Sequence, residues 1–192
     1  MATNRYTLAK YATLELNHIS FSDTARVFAQ LPLDTSDFTD AAPAEMGMWL
    51  VYDMLGGSVR KPDAVTESVG IIYNNEKEYS AEHKGLNEYA LKPGEVYPRM
   101  GLFMVGDTYT TNCFCYDTVE FANDAAVNTA LAAIAAATPA THCYLVTATN
   151  GAPRLTKDAT VLAAAGTAAK VVKVYTMPNG ELGLKVQFVK VA

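Results

Sequence analysis

A chain of 192 residues is long enough for one compact domain or two small ones. Half of it is hydrophobic and 18% is charged, which excludes disorder over the whole length. Lys+Arg 15 against Asp+Glu 20 leaves a net charge of -5, which argues against phosphate-backbone binding as the main task, so nucleic acid is not expected as a partner. No apolar run approaches the length of a membrane-spanning helix, and the opening MATNRYTLAKYATLELNHIS lacks the apolar stretch of a secretory signal. The expectation is a chain with no membrane partner that stays in the compartment where it is made. Its three cysteines, an odd count, make no disulfide framework and suit a reducing compartment.

Residues 1–45 are rich in Thr, Ser, Asp and Asn. Rough alternation from Thr13 to Phe21 suits a half-buried strand, and Leu31-Pro32-Leu33-Asp34 and Ala41-Ala42-Pro43 interrupt regular structure, so this stretch reads as an extended arm or loop-rich segment. Met48 to Leu55 (MWLVYDML), bounded by Gly47 and Gly56-Gly57, has the length and composition of a buried strand, with Trp49 in the core. Val69 to Tyr73 repeats the pattern. Residues 46–95 are therefore β-rich, with a weak boundary near Lys92-Pro93-Gly94.

Leu102–Val105 and Tyr109–Tyr116 flank the turn signal Gly106-Asp107 and predict a hairpin. The one well-marked helix follows over 124–137. Asn123 or Asp124 caps it, Val127, Leu131 and Ile134 share a face, alanine sustains it and Pro139 ends it. His142–Ala148 reads as a short strand before an Asn150-Gly151 turn. The strongest β signal is a long C-terminal hairpin, Lys170–Met177 and Leu182–Val191 around Pro178-Asn179-Gly180, in which Leu184, Val186 and Phe188 alternate with Lys185 and Gln187. The predicted fold is mainly β with one α-helix (α+β). It has a small antiparallel β-barrel or sandwich in 96–192, with 46–192 as one continuous domain the alternative.

Catalytic signatures are missing. Cys113, Cys115, His142 and Cys143 are the nearest approach to a metal set, yet neighbours 142 and 143 face opposite ways on a strand, so buried thiols are expected and no metal. His18, His83 and His142 accompany no nucleophile elbow, and the carboxylates Asp53, Glu76, Glu78, Asp107 and Asp117 sit in no recognisable motif. The glycines frame no phosphate loop, so no catalytic residue and no cofactor is assigned. Tyr6, Tyr11, Phe21, Tyr73, Tyr79 and Tyr89, aromatic rings set among polar residues, are the candidate interface.

The stretch Gly106-Asp107-Thr108-Tyr109-Thr110-Thr111-Asn112, the alanine-rich helix and the closing hairpin Ala169–Val191 with its Met177-Pro178-Asn179-Gly180 turn resemble small virion structural proteins of tailed bacteriophages, nearest to capsid decoration (cement) proteins. The resemblance covers mainly residues 100–192 and carries no functional residues. It implies a non-enzymatic virion component, assembled in the host cytoplasm, that binds the outside of a capsid. Its partner would be the major capsid protein, and the chain would form a homo-oligomer, for instance a trimer. The alternatives are a tail, neck or head-fibre component that binds a host surface, or a surface-glycan hydrolase using Asp53, Asp107 or Asp117.

Overall fold

The computed structural model describes residues 3–24, 26–74, 89–94, 97–136 and 142–192. In chain order its elements are β1 (Thr3–Arg5), β2 (Leu14–His18), α1 (Ser20–Thr24), β3 (Val27–Phe28), β4 (Trp49–Asp53), β5 (Ser58–Arg60), β6 (Gly70–Ile72) and β7 (Met100–Leu102). They continue with β8 (Thr108–Thr111), β9 (Cys115–Asp117), α2 (Asp124–Ala135), β10 (Tyr144–Val146), β11 (Arg154–Thr156), α3 (Ala159–Ala164), β12 (Ala168–Thr176) and β13 (Leu182–Lys190). The chain is mainly β. An 8-stranded sheet runs β1-β9-β11-β10-β12-β13-β8-β2 and a 5-stranded sheet runs β3-β7-β6-β4-β5.

The C-terminal hairpin forms as its alternation dictates. Leu184, Val186 and Phe188 are buried while Lys185 and Gln187 face outward, and Gly180 turns the chain at φ +84, a left-handed conformation that a side chain would strain. Helix α2 is capped by Asn123, whose Oδ1 accepts the Ala126 N–H at 3.0 Å, and buries Val127, Leu131 and Ile134. The predicted end of this helix at 137 and Pro139 lies outside the described residues.

Connectivity bends the large sheet. Strands β8 and β9 stand five places apart in the strand order. At about 4.8 Å per strand that is roughly 24 Å if flat. Only Asn112, Cys113 and Phe114 join them, and such a link spans at most about 14 Å, so the sheet curls back on itself. It is not a closed barrel: among the described residues no ladder joins its two edge strands, β1 and β2. Nor is it wholly antiparallel, because β11 pairs β9 in parallel.

Four other expectations change. The sheet is not confined to 96–192, since β1 and β2 form its edges. Residues 1–45 are loop-rich but no separate arm: Leu14, Ile19, Phe21, Leu33, Phe38 and Ala44 are buried in a core that extends from Ala12 to Phe188. The strand expected to reach Phe21 ends at His18, and Phe21 enters the core from α1. Finally, β7 and β8 are not a hairpin. The Gly106-Asp107 turn carries the chain from the small sheet to the large one, with Gly106 at φ +99 and the Asp107 carboxylate accepting the Met104 N–H at 2.9 Å. Crossing there seats Phe103 between the sheets, where it meets Phe188 at 3.9 Å and Trp49 at 5.4 Å. Trp49 donates its indole N–H to the Tyr109 hydroxyl at 2.9 Å, with both side chains fully buried.

Candidate functional site

The turn between β4 and β5 holds two apolar side chains in solvent. Asp53 ends β4, and its Oδ1 accepts the Leu55 N–H at 3.0 Å and the Gly56 N–H at 2.8 Å, while its carbonyl accepts the Gly57 N–H at 2.8 Å. Gly56 is required by closeness, since a Cβ there would stand 2.8 Å from Asp53 Oδ2. The other carboxylate oxygen of Asp53 accepts from Arg60 Nε at 3.1 Å, and Arg60 also pairs with Asp63 at 3.0 Å and Glu67 at 2.8 Å. The Gly56 N–H first, then Arg60, holds the Asp53 carboxyl below its usual range, and Arg60 does the same to Glu67. The result is a braced tip on which Met54 is 69% exposed and Leu55 wholly so. The apolar run predicts a buried strand through Leu55. The strand stops at Asp53, because Asp53 with Gly56-Gly57 builds a turn around the last two apolar residues of the run.

The surroundings of the tip are acidic. Asp34 accepts from the Ser58 hydroxyl at 2.8 Å, and Asp37 accepts the Lys61 N–H at 2.6 Å. Among the described residues Asp34, Asp53, Asp63 and Glu67 gather around Arg60 and Ser58 beside the turn.

The outer face of the large sheet has the opposite sign. Lys185, Gln187 and Val189 share one side of β13, with Lys185 directly opposite Lys173 and Gln187 opposite Lys170 on β12. Val172, beside Lys173, and Val189, beyond Gln187, are 42% and 43% exposed. Beside them Glu15 on β2 accepts from the Tyr175 hydroxyl at 2.7 Å. Among the described residues Lys170, Lys173 and Lys185 make no ion pair. Like charges placed directly across a ladder are destabilising, so Lys173 opposite Lys185 is a liability to the sheet.

The expected interface aromatics are placed differently. Tyr6 stacks on Phe114 at 4.6 Å and donates its hydroxyl to Asn128 on α2 at 2.8 Å, and Tyr73 packs on Phe21 at 4.7 Å. Burial pushes both phenols up. Phe21 is enclosed by this chain and offers no surface. Tyr11 and Tyr89 are half-buried, and Tyr79 lies outside the described residues.

The candidate chemistry is dispersed among structural tasks. Cys113, Cys115 and Cys143 are free and buried, and burial pushes the Cys113 thiol up to about 12 and Cys143 to about 11. Of the carboxylates, Asp53 organises the tip. Asp107 accepts the Ser20 N–H at 3.0 Å and hydroxyl at 2.9 Å at the start of α1, and Asp117 lies buried 3.4 Å from Arg154. Glu76, Glu78 and His83 lie outside the described residues. An open cleft of about 540 Å³ between β1 and the start of α2 is lined by Asn4, Arg5, Thr7, Tyr116 and Asp124 among others. Its groups already serve one another: Asp124 accepts from Tyr116 at 2.7 Å and from the Thr7 N–H at 3.2 Å, and Arg5 turns to Glu45 at 3.0 Å. The cleft brings a single carboxylate to its wall, whereas glycoside hydrolysis uses two.

Among the described residues no helix is long and apolar enough to cross a membrane. The chain matches no family model, no curated protein and no solved structure.

Proposed function

We propose that this chain is a non-enzymatic binding protein of a virus particle, a cement-type component that sits on the outside of a phage capsid and opposes separation of the capsid subunits. The observation that carries the reading is the tip. A turn fastened by three amide hydrogen bonds and an arginine clamp keeps Met54 and Leu55 in water, where each forgoes the roughly 1.5–3 kcal/mol that full burial would give. A rigid element that displays apolar side chains has lost its ordering entropy in advance, so docking recovers nearly all of that burial. The sequence resemblance supplies the setting. In it the two sheets form a sandwich-like body, the major capsid protein is the partner, and binding only to the assembled shell stabilises the shell by mass action.

The test is the heat resistance of the particle. Particles that lack the chain should rupture at a lower temperature, added wild-type protein should restore it, and Leu55→Asp should not. The copy number per particle should approach that of the shell subunit. Unchanged rupture in its absence overturns the cement role, and a few copies per particle would place the chain in the tail, neck or fibres instead.

A further inference from the structure

We propose that Asn179-Gly180, at the turn of the C-terminal hairpin, is a site of spontaneous deamidation, and that the carboxylate it produces loosens the hold of Glu181 on the N-terminal segment.

An asparagine cyclises when the amide nitrogen of the next residue reaches its Cγ, and a glycine in that place leaves the approach unobstructed. At this turn the Glu181 N–H donates to Asn179 Oδ1 at 3.1 Å, which folds the side chain forward over the Gly180 peptide unit, and Asn179 Nδ2 donates to Glu181 Oε2 at 2.9 Å. The first contact sits where negative charge develops on Oδ1 as the nitrogen adds. Asn179 and Gly180 are exposed, and a Cβ on Gly180 would meet no atom within 4 Å. In the reaction the Gly180 nitrogen bonds to Cγ and gives its proton to solvent, the Cγ–Nδ2 bond breaks, and the amide nitrogen takes up a proton and leaves as ammonia. Water then opens the succinimide to aspartate or isoaspartate. The Gly180 N–H must first leave the Met177 carbonyl, 2.9 Å away, which fraying of an exposed hairpin tip permits. The other Asn-Gly pair is pinned. Gly151 is buried, its carbonyl accepts the Trp49 N–H at 2.8 Å, and a Cβ on it would stand 3.0 Å from Leu50, so Asn150 is an internal comparison.

The product matters because of what Glu181 holds. Its Oε1 accepts the Ala9 N–H at 2.9 Å, and its Oε2 accepts from the fully buried Asn112 at 2.6 Å as well as from Asn179. Asn112 in turn accepts the Thr13 N–H at 2.7 Å. Conversion replaces a donor by a second carboxylate within hydrogen-bond range of the first, so Glu181 loses a partner and gains a like charge. The stretch that leads from β1 into β2 is the part released.

Peptide mapping by mass spectrometry, on the purified chain held at neutral pH in heavy-oxygen water, reads the first step. Asn179 should convert with uptake of one solvent oxygen, about tenfold or more faster than Asn150. No conversion at Asn179, or equal rates at the two asparagines, overturns the assignment. Hydrogen exchange reads the consequence. In the aged protein and in Asn179→Asp the Ala9 amide should exchange about tenfold faster than in fresh wild type, and Glu181→Gln should release it without ageing. Circular dichroism confirms that the variants are folded, and the aged wild type carries the test if one is not. Ala9 protection that survives conversion of Asn179 overturns the coupling to Glu181.

Discussion

Trp49 and Tyr109 show what a single residue decides. The indole N–H and the phenol are fully buried between the two sheets and satisfy one another at 2.9 Å. Burial also pushes the phenol well up, so it stays a neutral hydroxyl acceptor. Tyr109→Phe keeps the ring and removes the partner, leaving a buried donor unpaired. The expected cost is about 1–3 kcal/mol, read as a lower urea midpoint with an unchanged slope. An unchanged midpoint would mean that the indole finds another acceptor. Much of this was legible, because Trp49 sits inside an apolar run and belongs to the core. Its partner was not, since sixty positions separate the two residues and no local pattern connects them.

At the scale of the element, the β4–β5 turn is the instructive case. Asp53 and Glu67 have lowered pKa values in the fold, so the ionised forms brace the tip. The sign follows. Their contribution is fully present above the unfolded carboxylate values, near 4, and is lost as pH falls through the lower folded ones. The Leu55 and Gly56 amides should therefore keep their protection against hydrogen exchange from neutral pH to about pH 5 and lose it in stronger acid. Asp53→Asn should remove the Arg60 ion pair and give weaker protection at every pH. Protection that persists unchanged to about pH 2 would show that the turn holds without its carboxylates. The C-terminal hairpin behaves differently. Its period-two alternation and its Asn-Gly turn mark the two strands locally, and β12 and β13 pair along their length, with register shifts at Ala168/Ala169 and Val171/Lys173 that the alternation does not foretell.

For the whole molecule the N-terminal residues do the tying. Arg5 donates from β1 to the Phe114 carbonyl at 2.9 Å and to Glu45 at 3.0 Å, and Glu45 also accepts the Ala12 N–H at 2.7 Å. One guanidinium thus joins the edge of the large sheet, the β8–β9 corner and the loop that leads to the small sheet. Arg5→Ala should lower stability by about 1.5–3 kcal/mol, the range for hydrogen bonds to charged groups. A double-mutant cycle with Glu45→Gln should show coupling between the two sites. Additive effects would mean that the pair is incidental to the closure.

From the sequence alone came the mainly β character, the capped helix with its buried Val127, Leu131 and Ile134, the C-terminal hairpin and the inert setting of the three thiols. Each depends on residues near one another in the chain, where period, capping and turn chemistry act. Only the tertiary structure decided the curl of the large sheet, the passage of the chain between sheets at Gly106, the incorporation of β1 and β2 as edges, and the exposure of Leu55. These depend on which distant strands pair and on a three-residue link too short for a flat sheet. Apolar content says that a residue can be buried, but only the long-range pairing of strands determines whether there is anything to bury it against.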